Sequence, residues 1–210
     1  MNFYPLQFPA FLYRIFPKVI FRKETDEHIV YLTFDDGPTP KITDWVLKVL
    51  EEEQVQATFF CVGKNIENHP DLFQKIIDNG HRVANHSYKH RSGWDTTTNM
   101  YIKDILKTER IIEKFTPSKK LFRPPYGRLT PSQAMEIEKN KIQLVMWSVV
   151  SGDFSKNFNV EKAIWYLSSH SKPGEVIVFH DSEKAFNNLK EILRPIIHNL
   201  KKRGYQFGKL

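Results

Sequence analysis

Short runs of β-branched and aromatic residues alternate along this chain with stretches whose apolar residues recur every three or four positions. The first run, residues 28–34, predicts a strand. Residues 42–53 follow, with Trp45, Val46, Val49 and Leu50 at helical spacing. Residues 56–62 predict a second strand. Leu72, Ile76 and Ile77 then share a helix face that ends at Asn79-Gly80, a C-terminal cap signal. Residues 81–85 predict a short third strand, 99–115 a helix, and 119–123 a fourth strand. Thr130-Pro131 opens another helix with proline in its first turn. The apolar run at 142–149 predicts a buried fifth strand, 160–169 a helix and 175–180 a sixth strand. A last helix is expected over 186–202 and a closing strand over 205–207.

Seven strand candidates, mostly joined by helices, argue for an α/β fold with a parallel sheet, either a barrel or doubly wound. At roughly 150 residues per domain, a chain of 210 residues makes a single domain. Hydrophobic residues at 40% and charged residues at 26% exclude a disordered or collagen-like chain. One cysteine, Cys61, excludes an internal disulfide and any zinc site built on two thiolates. Its Thr-Phe-Phe-Cys-Val setting reads as core and not as a nucleophile.

The net charge of +7 favours contact with something anionic, such as cell-wall polymer, nucleic acid or lipid; the plainer reading is a solvated basic surface. No aromatic-plus-basic stripe marks a nucleic-acid platform. No apolar run approaches the ~18 residues of a transmembrane span. Residues 1–27 are aromatic (Phe3, Tyr4, Phe8, Phe11, Phe16, Phe21) but interrupted by Pro5, Pro9, Arg14 and Pro17. They carry no basic stretch ahead of an unbroken apolar core, unlike an ordinary secretory signal. They are expected to pack as an extension on the domain formed by 28–210, the alternative being a peripheral contact with a membrane surface.

Polar residues gather just after the predicted strands, the edge where parallel α/β folds build sites. After the first come Asp35, Asp36, Gly37 and Pro38. Neighbouring strand residues point to opposite faces, so the two carboxylates share one site only if the chain turns. Gly37-Pro38 supplies that turn; the competing reading is an Asp-Gly turn with one helix-capping carboxylate. After the third strand come His86 and His90, which lie on one face if the segment is helical and so can bind one metal. Asp35 or Asp36 would complete a three-ligand set with positions left for water and substrate. After the fourth come Arg123-Pro124-Pro125-Tyr126-Gly127, a stiff loop whose guanidinium could hold a carboxylate in a bidentate pair. After the fifth and sixth come Asp153-Phe154 and His180-Asp181. Asp153 beside His180 could orient the imidazole and raise its pKa, as a general acid needs.

In this order the residues resemble the polysaccharide deacetylases, the carbohydrate esterases that include chitooligosaccharide and peptidoglycan deacetylases. Thr33-Phe34-Asp35-Asp36-Gly37-Pro38 matches the first motif of that family unchanged, His86-Ser87-x-x-His90 the second and Arg123-Pro-Pro-Tyr-Gly127 the third. The fourth is looser: Asp153 holds the carboxylate position, but Val150 stands where many members have Asp and Phe154 replaces Trp. Val178-Phe179-His180 is close to the fifth. The resemblance covers about residues 28–207. It implies a distorted seven-stranded (β/α) barrel and a divalent metal, usually zinc with cobalt or nickel as alternatives, on Asp36, His86 and His90. It implies Asp35 as catalytic base paired with Arg123, and His180 as general acid tuned by Asp153. The Tyr126 amide would face the oxyanion, and Trp94, Tyr126 and Phe154 are candidates for sugar stacking, with Trp147 read as core packing. The implied reaction is removal of N-acetyl groups from N-acetylglucosamine residues of peptidoglycan or a chitin-like glycan. The alternatives are an O-acetyl esterase acting on xylan or another acetylated glycan, and a non-catalytic carbohydrate-binding relative. Either a bacterial cell envelope or a cytoplasmic location fits.

Overall fold

The run at 28–34 folds as the strand its β-branched and aromatic residues predict, β1 (Ile29–Asp35), and the remaining strands assemble around it. The computed structural model describes residues 16–210. After β1 come α1 (Ile42–Glu52), β2 (Thr58–Cys61), α2 (Gly63–Asn68), α3 (Pro70–Asp78), β3 (Arg82–Asn85) and α4 (Thr98–Ile112). They are followed by β4 (Leu121–Phe122), α5 (Pro131–Lys139), β5 (Gln143–Leu144), β6 (Val149–Val150), α6 (Val160–His170), β7 (Val176–His180), α7 (Phe186–Lys202) and β8 (Gln206–Phe207). Seven strands run in the order β5-β4-β3-β2-β1-β7-β6, and β8 pairs with β1 off that path. Every pairing between these strands is parallel. The sheet curls into a half-barrel with helices outside it, a single α/β domain.

One expectation needs correction. The apolar run at 142–149 is not one strand. It forms β5 on one edge of the sheet and β6 on the other, with Val145–Ser148 crossing between. A straight strand would keep one neighbour pair, whereas the curl brings the two edges close enough for one short segment to touch both. The sequence pattern gives no sign of α2, which carries only one large buried apolar side chain, Ile66, and so shows no helical periodicity. The cap at the end of α3 does form, with Gly80 at φ 79°.

Residues 17–23 lie along the gap between the sheet edges. The Ile20 amide donates to the Leu144 carbonyl (3.0 Å), the Met146 amide to that of Ile20 (2.8 Å) and the Lys23 amide to that of Gly174 (2.8 Å). Phe21 is buried and Phe16 is half-exposed. Phe3, Tyr4, Phe8 and Phe11 fall outside the described residues.

Alternation along β1 decides which side chains reach the site. Val30, Leu32 and Phe34 face the helices and pack with Phe59, Ile177 and Phe179. Tyr31 faces the inside of the curl with Phe60, Ala84, Leu121, Val145 and Val176. Asp35 is in phase with Tyr31 and Thr33, so it points inward at the C-terminal mouth. Parallel register sets its neighbours, since Asp35 lies opposite Phe60 of β2 and His180 of β7. Phe34 is fully buried and stacks between Phe59 (5.0 Å between ring centroids) and Phe179 (5.7 Å). We expect Phe34→Ala to lower unfolding free energy by ~3–5 kcal/mol, read by urea denaturation. A loss under about 1 kcal/mol would show that this stack does not anchor the sheet.

Candidate active site

The two adjacent carboxylates do share a site, because the chain turns at Asp36, which takes φ 85°. This left-handed backbone costs a non-glycine residue of order 1–3 kcal/mol, so surrounding bonds must hold it. Asn65 Nδ2 donates to the Asp36 carbonyl (2.8 Å), and the Gly37 amide donates to Asp181 Oδ1 (3.0 Å). Thr43 Oγ1 donates to the other Asp181 oxygen (2.5 Å). A Cβ on Gly37 would lie 2.0 Å from Asp181 Oδ2, so only glycine lets this carboxyl approach. Burial, with the charge of Asp36 adding to it, pushes the Asp181 carboxyl up to about 8. Asp181 is thus a buried strut under the turn. The sequence placed it beside His180 without a role, and no spacing pattern links it to Gly37.

His86 and His90 also converge, but not on a helix face. Residues 86–92 form no helix, and left-handed backbone at Ser87 (φ 62°) and His90 (φ 53°) folds the loop back on itself. Asp104 Oδ2 accepts the amides of Tyr88 and Lys89 (both 2.9 Å), and Asn85 Oδ1 accepts that of Ser87 (2.8 Å). Four-residue spacing found the pair for the wrong geometric reason; the holding residues, Asp104 and Asn85, carried no signal.

The donor atoms of Asp36, His86 and His90 lie within 4.8 Å of one another. His90 Nε2 is 3.1 Å and His86 Nε2 3.8 Å from Asp36 Oδ1. His86 Nδ1 lies 2.8 Å from the Arg123 carbonyl and, as donor to it, leaves the Nε2 lone pair facing Asp36. Burial pulls this imidazole down to about 4, against the pull of Asp35, so it is neutral at pH 7. Burial works against the Asp36 charge, but the hydrogen bond from His90 and the charges of His180, His86 and His90 hold its carboxyl well below the usual carboxylate range. Two imidazoles and an ionised carboxylate suit a divalent metal of the zinc type.

Arg123 is completely buried. Its Nη1 donates to Asp35 Oδ1 (2.7 Å) and to Thr33 Oγ1 (2.7 Å), and its Nη2 to the Met146 carbonyl (2.8 Å). Its guanidinium lies 4.0 Å from the Phe60 ring centroid. The pair is fixed through one nitrogen and not a bidentate fork. The other Asp35 oxygen faces His86 Nε2 at 4.0 Å.

His180 enters from β7. Asp153 is completely buried and holds it twice, through the His180 amide (2.8 Å) and through Nδ1 (2.8 Å). Burial would lower this imidazole, yet the charge and hydrogen bond of Asp153, with Asp36 and Asp35, push it up to about 9. Phe154 meets the imidazole edge-on at 5.1 Å, and Asn188 Nδ2 donates to the Asp153 carbonyl (2.7 Å).

Tyr126 and Trp94 form the exposed rim. Tyr126 has φ 60° and its ring lies 4.8 Å from that of His90. Hydrogen bonds in its turn run from Gly127 to Pro124 and from Arg128 to Pro125, and the Tyr126 amide takes no part in them. Trp94 Nε1 donates to the Leu129 carbonyl (3.2 Å). Trp147 is half-buried against the interior cluster.

A model of the polysaccharide deacetylase family matches residues 22–145. The chain is 30% identical over 184 residues to a peptidoglycan-N-acetylglucosamine deacetylase of Bacillus cereus, covering 87% of this chain and 86% of that protein. It is 33% identical over 154 residues to a chitooligosaccharide deacetylase of Bradyrhizobium sp., covering 72% and 70%. A crystal structure of a peptidoglycan N-acetylglucosamine deacetylase, in complex with a naphthyl N-oxidanyl-benzamide, matches with a TM-score of 0.88 at 30% identity, over 97% of this chain and 95% of that one. The chain belongs to the polysaccharide deacetylase family. That family is metal-dependent, and Asp36, His86 and His90 form a site able to hold the ion. We expect one divalent metal per chain by elemental analysis after dialysis, and retention weakened by more than about tenfold in Asp36→Ala. A full equivalent held by that variant would place the metal elsewhere.

Proposed function

We propose that this protein is a hydrolase that removes N-acetyl groups from N-acetylglucosamine residues of peptidoglycan or a chitin-like glycan. The observation that carries this reading is the pair of buried devices flanking Asp36, His86 and His90. Arg123 holds Asp35 on one side, and Asp153 holds His180 on the other.

Zinc, with cobalt or nickel as alternatives, held by Asp36, His86 and His90 would supply Lewis-acid polarisation of the acetamide carbonyl. Asp35 takes the proton from the attacking water. Arg123 keeps that carboxylate aimed, through the hydrogen bond and ion pair from Nη1 to its Oδ1. The Tyr126 amide, not engaged in its own turn, donates to the developing oxyanion. His180 then gives a proton to the departing amine, since the nitrogen would otherwise leave as an amide anion. Asp153 takes Nδ1, so Nε2 carries the proton to be delivered. Phe154, Tyr126 and Trp94 offer ring faces to the sugars. The net charge of +7 fits an anionic wall glycan such as peptidoglycan.

Acetate release from N-acetylglucosamine oligomers, measured after chelation and again with zinc added, tests the reaction. Asp35→Asn is expected to lower kcat by about a hundred- to ten-thousandfold, and His180→Ala similarly while keeping its metal. Release that is indifferent to Asp35→Asn would sink the assignment. The pH profile tests His180. A raised pKa keeps the acid protonated through neutral pH, so kcat/KM falls as pH rises through that pKa. Asp153, with Asp36 and Asp35, pushes it up to about 9 against the effect of burial, and a cation held nearby would draw it lower, so the alkaline limb is expected at or below 9. Asp153→Asn removes the charge that raises it and should move the limb to lower pH. A limb that stays in place would take the proton-donor role from His180.

A further inference from the structure

We propose that Arg128 reads a carboxylate on the substrate, so that the site prefers an acidic glycan over a neutral one. The inference rests on the deacetylase reading above and names the substrate class for that same site.

Arg128 follows the Pro-Pro-Tyr-Gly turn and is exposed. Its guanidinium lies 4.9 Å from the Trp94 ring centroid and 5.9 Å from that of Tyr126. Tyr126 in turn touches His90, one of the three candidate metal ligands. The cation therefore stands one aromatic ring beyond the reacting centre, where a neighbouring sugar of the bound glycan would lie. The two rings steer the guanidinium by cation–π attraction and leave its N–H groups without a hydrogen-bond or ion-pair partner among the described residues. Asp95, adjacent to Trp94 in sequence, forms no ion pair with it. Arg194, on α7, is by contrast paired to both Glu52 and Glu53.

An arginine held in place by ring faces, with an unused planar set of donors, is matched to a carboxylate, which accepts two parallel N–H bonds. A ring face without the cation would suffice for a neutral sugar. Trp94 remains 64% exposed with Arg128 beside it, so it keeps surface for a sugar to stack on. A second exposed cation, Lys184, lies 5.4 Å from the Phe154 ring centroid on the His180 side, which extends the positive rim. Peptidoglycan carries such carboxylates on its lactyl ethers and peptide stems, and chitin does not.

The test compares kcat/KM for acetate release from two tetrasaccharides. One is the neutral N-acetylglucosamine tetramer; the other is peptidoglycan-derived, with free lactyl carboxylates on alternate sugars. The metal-loaded wild type should favour the charged substrate by about tenfold, and this advantage should shrink as salt is raised toward about 1 M. Arg128→Gln should bring the ratio close to one, and Arg128→Lys, which keeps charge but not the planar fork, should leave it in between. A wild type that releases acetate equally from both overturns the proposal and leaves the deacetylase reading intact. So does a preference that survives Arg128→Gln unchanged. Release from neither substrate overturns the deacetylase reading, and the role of Arg128 falls with it.

Discussion

A guanidinium with no exposure to water sits at the centre of this molecule, and its pairing with Asp35 constrains almost everything around it. Removing such a charge from water costs several kcal/mol before any partner is counted. The cost is offset only where each partner is in place: Asp35 and Thr33 on β1, the Met146 carbonyl in the segment that crosses between the sheet edges, and the Phe60 face on β2. The Arg123 carbonyl, on the same residue, orients His86. One side chain and its backbone thus tie strand register, closure of the curl and the imidazole tautomer into a single condition. A slip of β1 by one residue would turn Asp35 outward and leave the guanidinium unpaired.

The chemistry sits on strained loops supported by buried and half-buried polar side chains. Asp36, Ser87, His90 and Tyr126 all take left-handed backbone, and all lie at the mouth of the sheet. None is glycine, so each needs support from outside its own turn. Asn65 and Asp181 brace the first turn, and Asn85 and Asp104 the second. The braces come from a helix, a strand end or a segment after a strand, elements that cannot yield without disturbing the core. Rigidity at the site is therefore borrowed from the sheet and helices beneath it.

The alternation of residue type made β1, β2, β3 and β7 legible, because buried parallel strands are written as apolar β-branched and aromatic runs. The carboxylates, histidines and Arg123 were legible because they fall just after those runs and in family order. The split of 142–149 into β5 and β6 was not, since periodicity reports burial but not which neighbour a strand has. The left-handed turn that joins His86 to His90 was hidden for a related reason. Four-residue spacing is shared by helices and by tight loops, and Ser, Tyr and Lys between them announce neither. Asp181, Asn65 and Asp104 act through contacts far apart in sequence, which one chain without its fold does not display.

The order of strands in space has a consequence for how the chain is made. β1 is central in the finished sheet, yet β7, its neighbour on one side, is encoded far downstream. At a synthesis rate of about 5–20 residues per second, the wait between them is on the order of ten seconds. During that interval β1, with β2 and β3 beside it, is an edge, offering a row of unpaired backbone groups along one of the most apolar segments of the protein. The nascent ribosome-bound chain holds Asp36, His86 and His90 well before it holds β7 and its His180.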